Sequence, residues 1–127
     1  MTHPRRPSKS GGLGVLGVLA VLGSYALARI SPRLGTNHLI ASLGSDYESP
    51  RMAAYMALTK LGPRSAPRLL AAIERGHPES VALIEILGGQ GDPSQIPKLE
   101  ELATSERTEI ARAAVGSLEM LQEDVDP

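Results

Sequence analysis

His3, His38 and His77 are the only imidazoles in this chain of 127 residues, and there is no cysteine. A metal site built on a helix needs His or carboxylate ligands converging at i and i+3 or i+4. His77-Pro78-Glu79 instead straddles a helix start, where a capping or solvent-facing imidazole is the simpler reading. A serine hydrolase needs Ser, His and an acid in convergence. The sequence has no G-x-S-x-G turn, and His38 and His77 fall in different repeats. Gly88-Gly89-Gln90-Gly91 has the glycine density of a phosphate-cradling loop, but no Lys-Ser or Lys-Thr follows and no strand precedes. It reads as the end of a helix and a turn. No catalytic constellation, metal site or cofactor site is expected, and the chain is read as a non-enzyme.

The composition narrows the architecture that must position any binding residues. There is no Trp or Phe and only three Tyr, so Leu, Ile, Val, Met and Ala carry the burial. Without cysteine there is no disulfide, no thiolate nucleophile and no lipid-modified N-terminal Cys. The net charge of -1 hides a polarity along the chain. Arg29 to Pro78 holds seven basic and three acidic residues, whereas Glu79 to Pro127 holds three and eleven. Nucleic acid is an unsuitable partner, because the basic half lacks interleaved aromatics to stack bases and the acidic half repels phosphate.

The elements come from an internal echo. Ala57 to Leu69 recurs, with one residue inserted, as Ile86 to Leu99, and Ala113-Ala114 with Leu118 to Leu121 repeats Ala53-Ala54 with Leu58 to Leu61. The period of about thirty residues is that of a helix pair, stacked about three times. Short helices are expected over 37–43, from Pro50 to Leu61, over 66–75, 78–87, 94–103 and 106–121. Gly44, Gly62, Gly76 and Gly88 to Gly91 serve as stops, and Ser49-Pro50 and Asp92-Pro93 as starts. Leu58, Leu87 and Leu118 should point inward at equivalent positions. Residues 122–127 form an acidic tail, expected to fray.

Ahead of the array, Arg5, Arg6 and Lys9 precede an uncharged run that lasts until Arg29. Its strongly apolar part, Leu13 to Leu22, has the length of a signal-peptide h-region, and Ala26-Leu27-Ala28 offers small residues for cleavage after Ala28. The whole run would extend about 28 Å as a helix and so also fits a membrane anchor, with Ala20, Ser24 and Ala28 as a small-residue stripe. Residues 1–28 are thus a signal peptide or a transmembrane helix, and 29–36 a linker broken by Pro32 and Gly35. The basic flank places the N-terminus in the cytoplasm and the array, 37–121, outside, in the cell envelope. Pro7-Ser8-Lys9 after the Arg pair lacks the apolar residues of a twin-arginine signal.

The array resembles bacterial HEAT repeats, in particular the phycobilisome-lyase HEAT-like subtype. The pattern A-L-x-x-L-G-D-P-x-x-x-P-x-L is met by Ile86-Leu87, Gly91-Asp92-Pro93, Pro97 and Leu99, and less fully by Ala57-Leu58, Leu61-Gly62, Pro67 and Leu69. The family's Asp and the Arg about six residues later, which ladder between repeats, are approached by Asp46 and Arg51, one residue too close. Ser80 and Ala111 stand where the Arg would fall in the other copies. The resemblance implies an α-solenoid that binds a partner along a concave face lined by the second helix of each pair. A bilin-lyase activity does not follow, since no Phe or Trp is available to line a tetrapyrrole pocket.

With Ala54, Leu58 and Leu61 turned to the core, Met52, Met56 and Lys60 lie opposite. The aligned residues are Val81, Glu85 and Gly89, then Arg112, Gly116 and Met120. These form the candidate concave face, a groove for a protein or peptide segment, with Met adapting to its partner's shape. Tyr55, Ile84 and Val115 flank the core arc and are expected to pack one helix on the next. The function that emerges is a protein-interaction scaffold, exported or held at the membrane by its N-terminal helix if uncleaved. The alternative is an assembly component that self-associates weakly through its basic and acidic ends.

Overall fold

The computed structural model describes residues 12–125. Among the described residues the fold is all-α, without strands: α1 (Gly12–Ile30), α2 (Pro32–Ser42), α3 (Glu48–Leu61), α4 (Ala66–Glu74), α5 (Ser80–Gly89), α6 (Ile96–Leu102) and α7 (Thr108–Val125). Short 3₁₀ turns, Gly62–Ser65 and Pro93–Gln95, lead into α4 and α6. The helices gather into two compact units that divide after Leu58, near the end of α3.

In the first unit α1 and α2 are separated by Ser31 alone. Ser31 still donates its N–H to the Leu27 carbonyl at 2.6 Å, but Pro32 pushes Ser31 out of the helical region to φ -129°, ψ 88°. Pro32 then sits in the first turn of α2, where a missing N–H costs nothing. The two helices pack on each other so closely that a Cβ at Gly35 would fall onto the Ala28 backbone. Gly17 of α1 meets the Pro50 ring at the start of α3 in the same way, a Cβ there coming within 2.5 Å of Pro50 Cγ. Val21, Ala28, Thr36, Leu39, Ile40, Leu43, Pro50, Ala54 and Leu58 are buried. Arg51 donates from Nη1 to the Ser45 carbonyl at 2.9 Å, closing the turn between α2 and α3 within its own pair.

The second unit contains two helix pairs, α4 with α5 and α6 with α7, joined side by side. α5 packs on both α4 and α7, and α7 packs on α6. At the centre, Ser117 Oγ donates to the Ile84 carbonyl at 2.8 Å, and a Cβ at Gly88 would lie 2.6 Å from that hydroxyl and 2.9 Å from Ser117 Cα. Along the first helices, Lys98 Nζ bridges Glu74 and Glu101, each at 3.5 Å, and the carboxylates of Glu101 and then Glu74 raise its pKa. Gln90 Nε2 donates to Ser65 Oγ at 2.8 Å, tying the end of α5 to the turn before α4. The core is aliphatic: Leu69, Ile73, Leu83, Ile84, Ile86, Leu87, Leu99, Ile110 and Leu121 are all buried.

Several sequence expectations change. Residues 32–36 are the first turn of α2 rather than a linker, because Pro32 starts a helix and Gly35 serves close packing. Gly88 and Gly89 belong to α5; the turn comes at Gly91, which with Gly62 and Gly76 has positive φ (73°, 76° and 79°). Leu118 is half-buried, and Ser117 and Leu121 face inward instead, since the approach to Gly88 admits only a small side chain. The acidic tail is helical through Val125, anchored by buried Leu121. No helix among the described residues is long and apolar enough to cross a membrane. Beyond Leu22, α1 continues through Gly23, Ser24, Tyr25 and Arg29. Arg5, Arg6 and Lys9 lie outside the described residues.

Two glycines on facing and outward sides of the α5–α7 pair give opposite expectations. Alanine is favoured over glycine in a helix interior by about 1 kcal/mol, so Gly116→Ala, which meets nothing within 4 Å, should raise the urea midpoint. Gly88→Ala must displace the Ser117 backbone and should lower stability by about 1–3 kcal/mol despite the same propensity gain. Equal midpoints for the two variants would contradict this packing.

Asp92 caps the turn before α6. Its carboxylate accepts from Ser94 Oγ at 2.8 Å, Ser94 N–H at 3.1 Å and Gln95 Nε2 at 3.5 Å. The Ser94 hydroxyl foremost, then the Ser94 N–H, hold its pKa below the ordinary 3.8. A carboxylate with a depressed folded pKa stabilises above its unfolded value, and that contribution is lost as pH falls through the folded value. Asp92→Ala should therefore cost about 0.5–2 kcal/mol at neutral pH. Asp92→Asn should remove part of the acid-side loss of stability below about pH 4, and superimposable acid limbs for the parent chain and the Asp92→Asn variant would count against the cap.

Candidate binding surface

On α3, Ala54 and Leu58 are fully buried, and the outward row at i and i+4 is Met52 and Met56, 58% and 66% exposed. Both thioethers belong to the first unit. Lys60, the next step of the row, is also exposed and falls in the second unit. A helix surface of this kind adds little burial to the fold, since each Met is mostly exposed on the side opposite Ala54 and Leu58.

In the second unit the remaining positions lie on α5 and α7. Glu85 and Gly89 are exposed on α5, and Val81 is half-buried there. On α7, Arg112, Gly116 and Met120 are exposed, and Val115 joins them at 46% exposure, rather than packing between helices as its position beside the core suggests. Ile84, which flanks the same arc on α5, is fully buried, and Tyr55 is half-buried. Ile84 also supplies the main-chain carbonyl to which Ser117 Oγ donates. The second unit thus presents an α7 stripe of Arg112, Val115, Gly116 and Met120 with Glu85 on the neighbouring helix. The first presents a separate methionine pair.

Of the histidines considered for chemistry, His77 has a local structural role. The His77 ring accepts the Glu79 N–H at Nδ1 over 2.9 Å, while Ser80 Oγ donates to the His77 carbonyl at 2.7 Å. His77 therefore shapes the entry to α5, and a ring nitrogen occupied in this way is withdrawn from ligation. His38 is exposed on α2, where its carbonyl accepts from Ser42 Oγ at 3.0 Å. Among the described residues no group of three His, Asp or Glu side chains could hold a metal ion.

One surface is not legible from the sequence. Val15, Leu16, Leu19 and Leu22 are each more than half exposed on α1. The continuous apolar run groups them with a leader, and a helix apolar on every side carries no phase to show which face packs. The signal that is present lies in the glycines: Gly17 and Gly35 mark the side of close approach. No protein-family model, curated protein or solved structure matches this chain.

Proposed function

We propose that the protein is a non-enzymatic protein-interaction scaffold of the cell envelope, a short HEAT-like α-solenoid exported across the membrane or held at it by its N-terminal segment. The observation that carries the reading is the exposure of Met52 and Met56 on one face of α3, with Met120 and Val115 on α7. Flexible thioethers held out from a helix whose opposite face is fully buried are suited to an apolar peptide segment and contribute little to folding. Support for the solenoid comes from the second unit, where two helix pairs stack through their second helices, α5 and α7.

The test is peptide capture by the full chain from a displayed random library, followed by variants. Met52→Glu with Met56→Glu should weaken capture at least about tenfold, which corresponds to about 1.4 kcal/mol. Stability should change by less than about 0.5 kcal/mol, as for most surface substitutions. Leu58→Ala, two residues beyond Met56 but buried, should cost about 2–5 kcal/mol. Retained capture by the Met variant would remove the methionine face from the site, and loss of folding would show that face to be core.

A second reading rests on the segregation of charge, about +4 over residues 29–78 against about -8 over 79–127. In it, basic and acidic ends of successive copies dock, forming weak chains. Sedimentation should then show mass rising with protein concentration at low salt and falling as salt screens the ends, whereas a scaffold that works alone stays monomeric throughout.

A further inference from the structure

On α1, the inward and outward sides can be separated by angle. Gly14, Val21 and Ala28 are buried and Gly17 meets Pro50, all on one side. Val15, Leu16, Leu19, Leu22, Ala26 and Ile30 occupy the other, with Ile30 84% exposed. An open depression of about 210 Å³ borders that outward side, lined by Val15, Val18 and Leu19 together with the inward Gly14 and with Ser49 of α3. The face is therefore apolar along the whole helix and uncovered by the unit to which it belongs. Apolar patches of this extent mark contacts with a partner or a membrane.

Charge identifies the occupant. From Met1 to Ser45 there are five basic residues, Arg5, Arg6, Lys9, Arg29 and Arg33, and no acidic one; the first carboxylate is Asp46. Arg29 and Arg33 are exposed where α1 passes into α2, and the other three precede the apolar run in sequence. A second copy docked face to face through its own α1 would bring the same positive charge against itself. An anionic lipid surface offers apolar acyl chains to the face and negative headgroups to the arginines, whose aliphatic stems let the guanidinium reach outward.

We infer that α1 is a monotopic membrane-docking helix, retained in the protein, that lies in the plane of an anionic bilayer on its outward face while α2 and Pro50 keep its inward face. Retention follows from the packing: cleavage after Ala28 would strip away the backbone against which Gly35 is fitted. Lying flat follows from the same contacts, because a helix that turned to span the bilayer would have to leave α2 and Pro50 behind. The inference rests on the membrane part of the proposed function and is independent of the methionine face. Failure of peptide capture leaves vesicle binding untouched, and the reverse holds.

The experiment uses the full chain with vesicles of phosphatidylcholine alone or mixed with phosphatidylglycerol, read by flotation. Binding to the mixed vesicles is expected, and Leu16→Glu with Leu19→Glu should weaken it at least about tenfold while the melting temperature holds. Arg29→Gln with Arg33→Gln should reduce the preference for the anionic vesicles. Because the chain has no cysteine, single labels at Leu16→Cys, Leu22→Cys and Ile30→Cys report depth by lipid-borne quenchers. Equal, shallow depths support the docked helix. A depth that rises and falls along α1 would mean a span, disulfide-linked copies of Leu22→Cys without lipid would mean a dimer face, and a native protein beginning at Arg29 would mean a leader. Any of these, or no binding to mixed vesicles, overturns the inference.

Discussion

Helices in this protein meet at backbone distance, and the rest of the structure depends on that. Without Phe or Trp, a wide gap between helices could not be filled, so contact is made by bringing main chains together over Gly, Ala and Ser. Among the described residues Gly35 on Ala28 and Gly88 on Ser117 are such crossings, and Gly17 lies against the Pro50 ring. The Gly88 crossing also carries a buried polar group, whose cost is offset because Ser117 Oγ finds the Ile84 carbonyl across the interface. Dispersion between closely apposed backbones then takes the part that aromatic side chains fill in other small domains.

The punctuation of the fold is more legible in the sequence than its rotation. Gly62, Gly76 and Gly91 end or separate helices through positive φ, which only glycine adopts at low cost, so their residue type alone marks the turns. Gly88 and Gly89 look the same in sequence but sit inside α5, since a glycine required by a neighbour's backbone cannot be told from a glycine required by φ. The inward face of α7 differs by one residue from its expected position for a related reason. Repeat alignment favours Leu118, yet the partner surface at Gly88 selects the smaller Ser117. On α3 the 100° step per residue, once Ala54 and Leu58 are set inward, places Met52 and Met56 outward.

Polarity in this chain is organised lengthwise. The first forty-five residues carry only positive charge, and nine of the fourteen acidic residues come after Gly91. Apolar exposure follows a different division, with an aliphatic face on α1 and methionines on α3 and α7. Aliphatic branched chains suit a partner of indefinite shape such as acyl chains, while thioethers suit a partner with its own relief. The chemistry of the two kinds of surface therefore differs even though both are apolar.

Ser31 joins α1 and α2 with no slack. A one-residue link, straddled by the Ser31–Leu27 hydrogen bond and clamped by Ala28 against Gly35, acts as a lever arm welded to its load. Force or torque applied to α1 passes directly into α2, where a flexible linker would have absorbed it. Attachment at the N-terminal helix would consequently set the heading of the first unit as well as its position, and a glycine-rich insertion after Ser31 would uncouple the two.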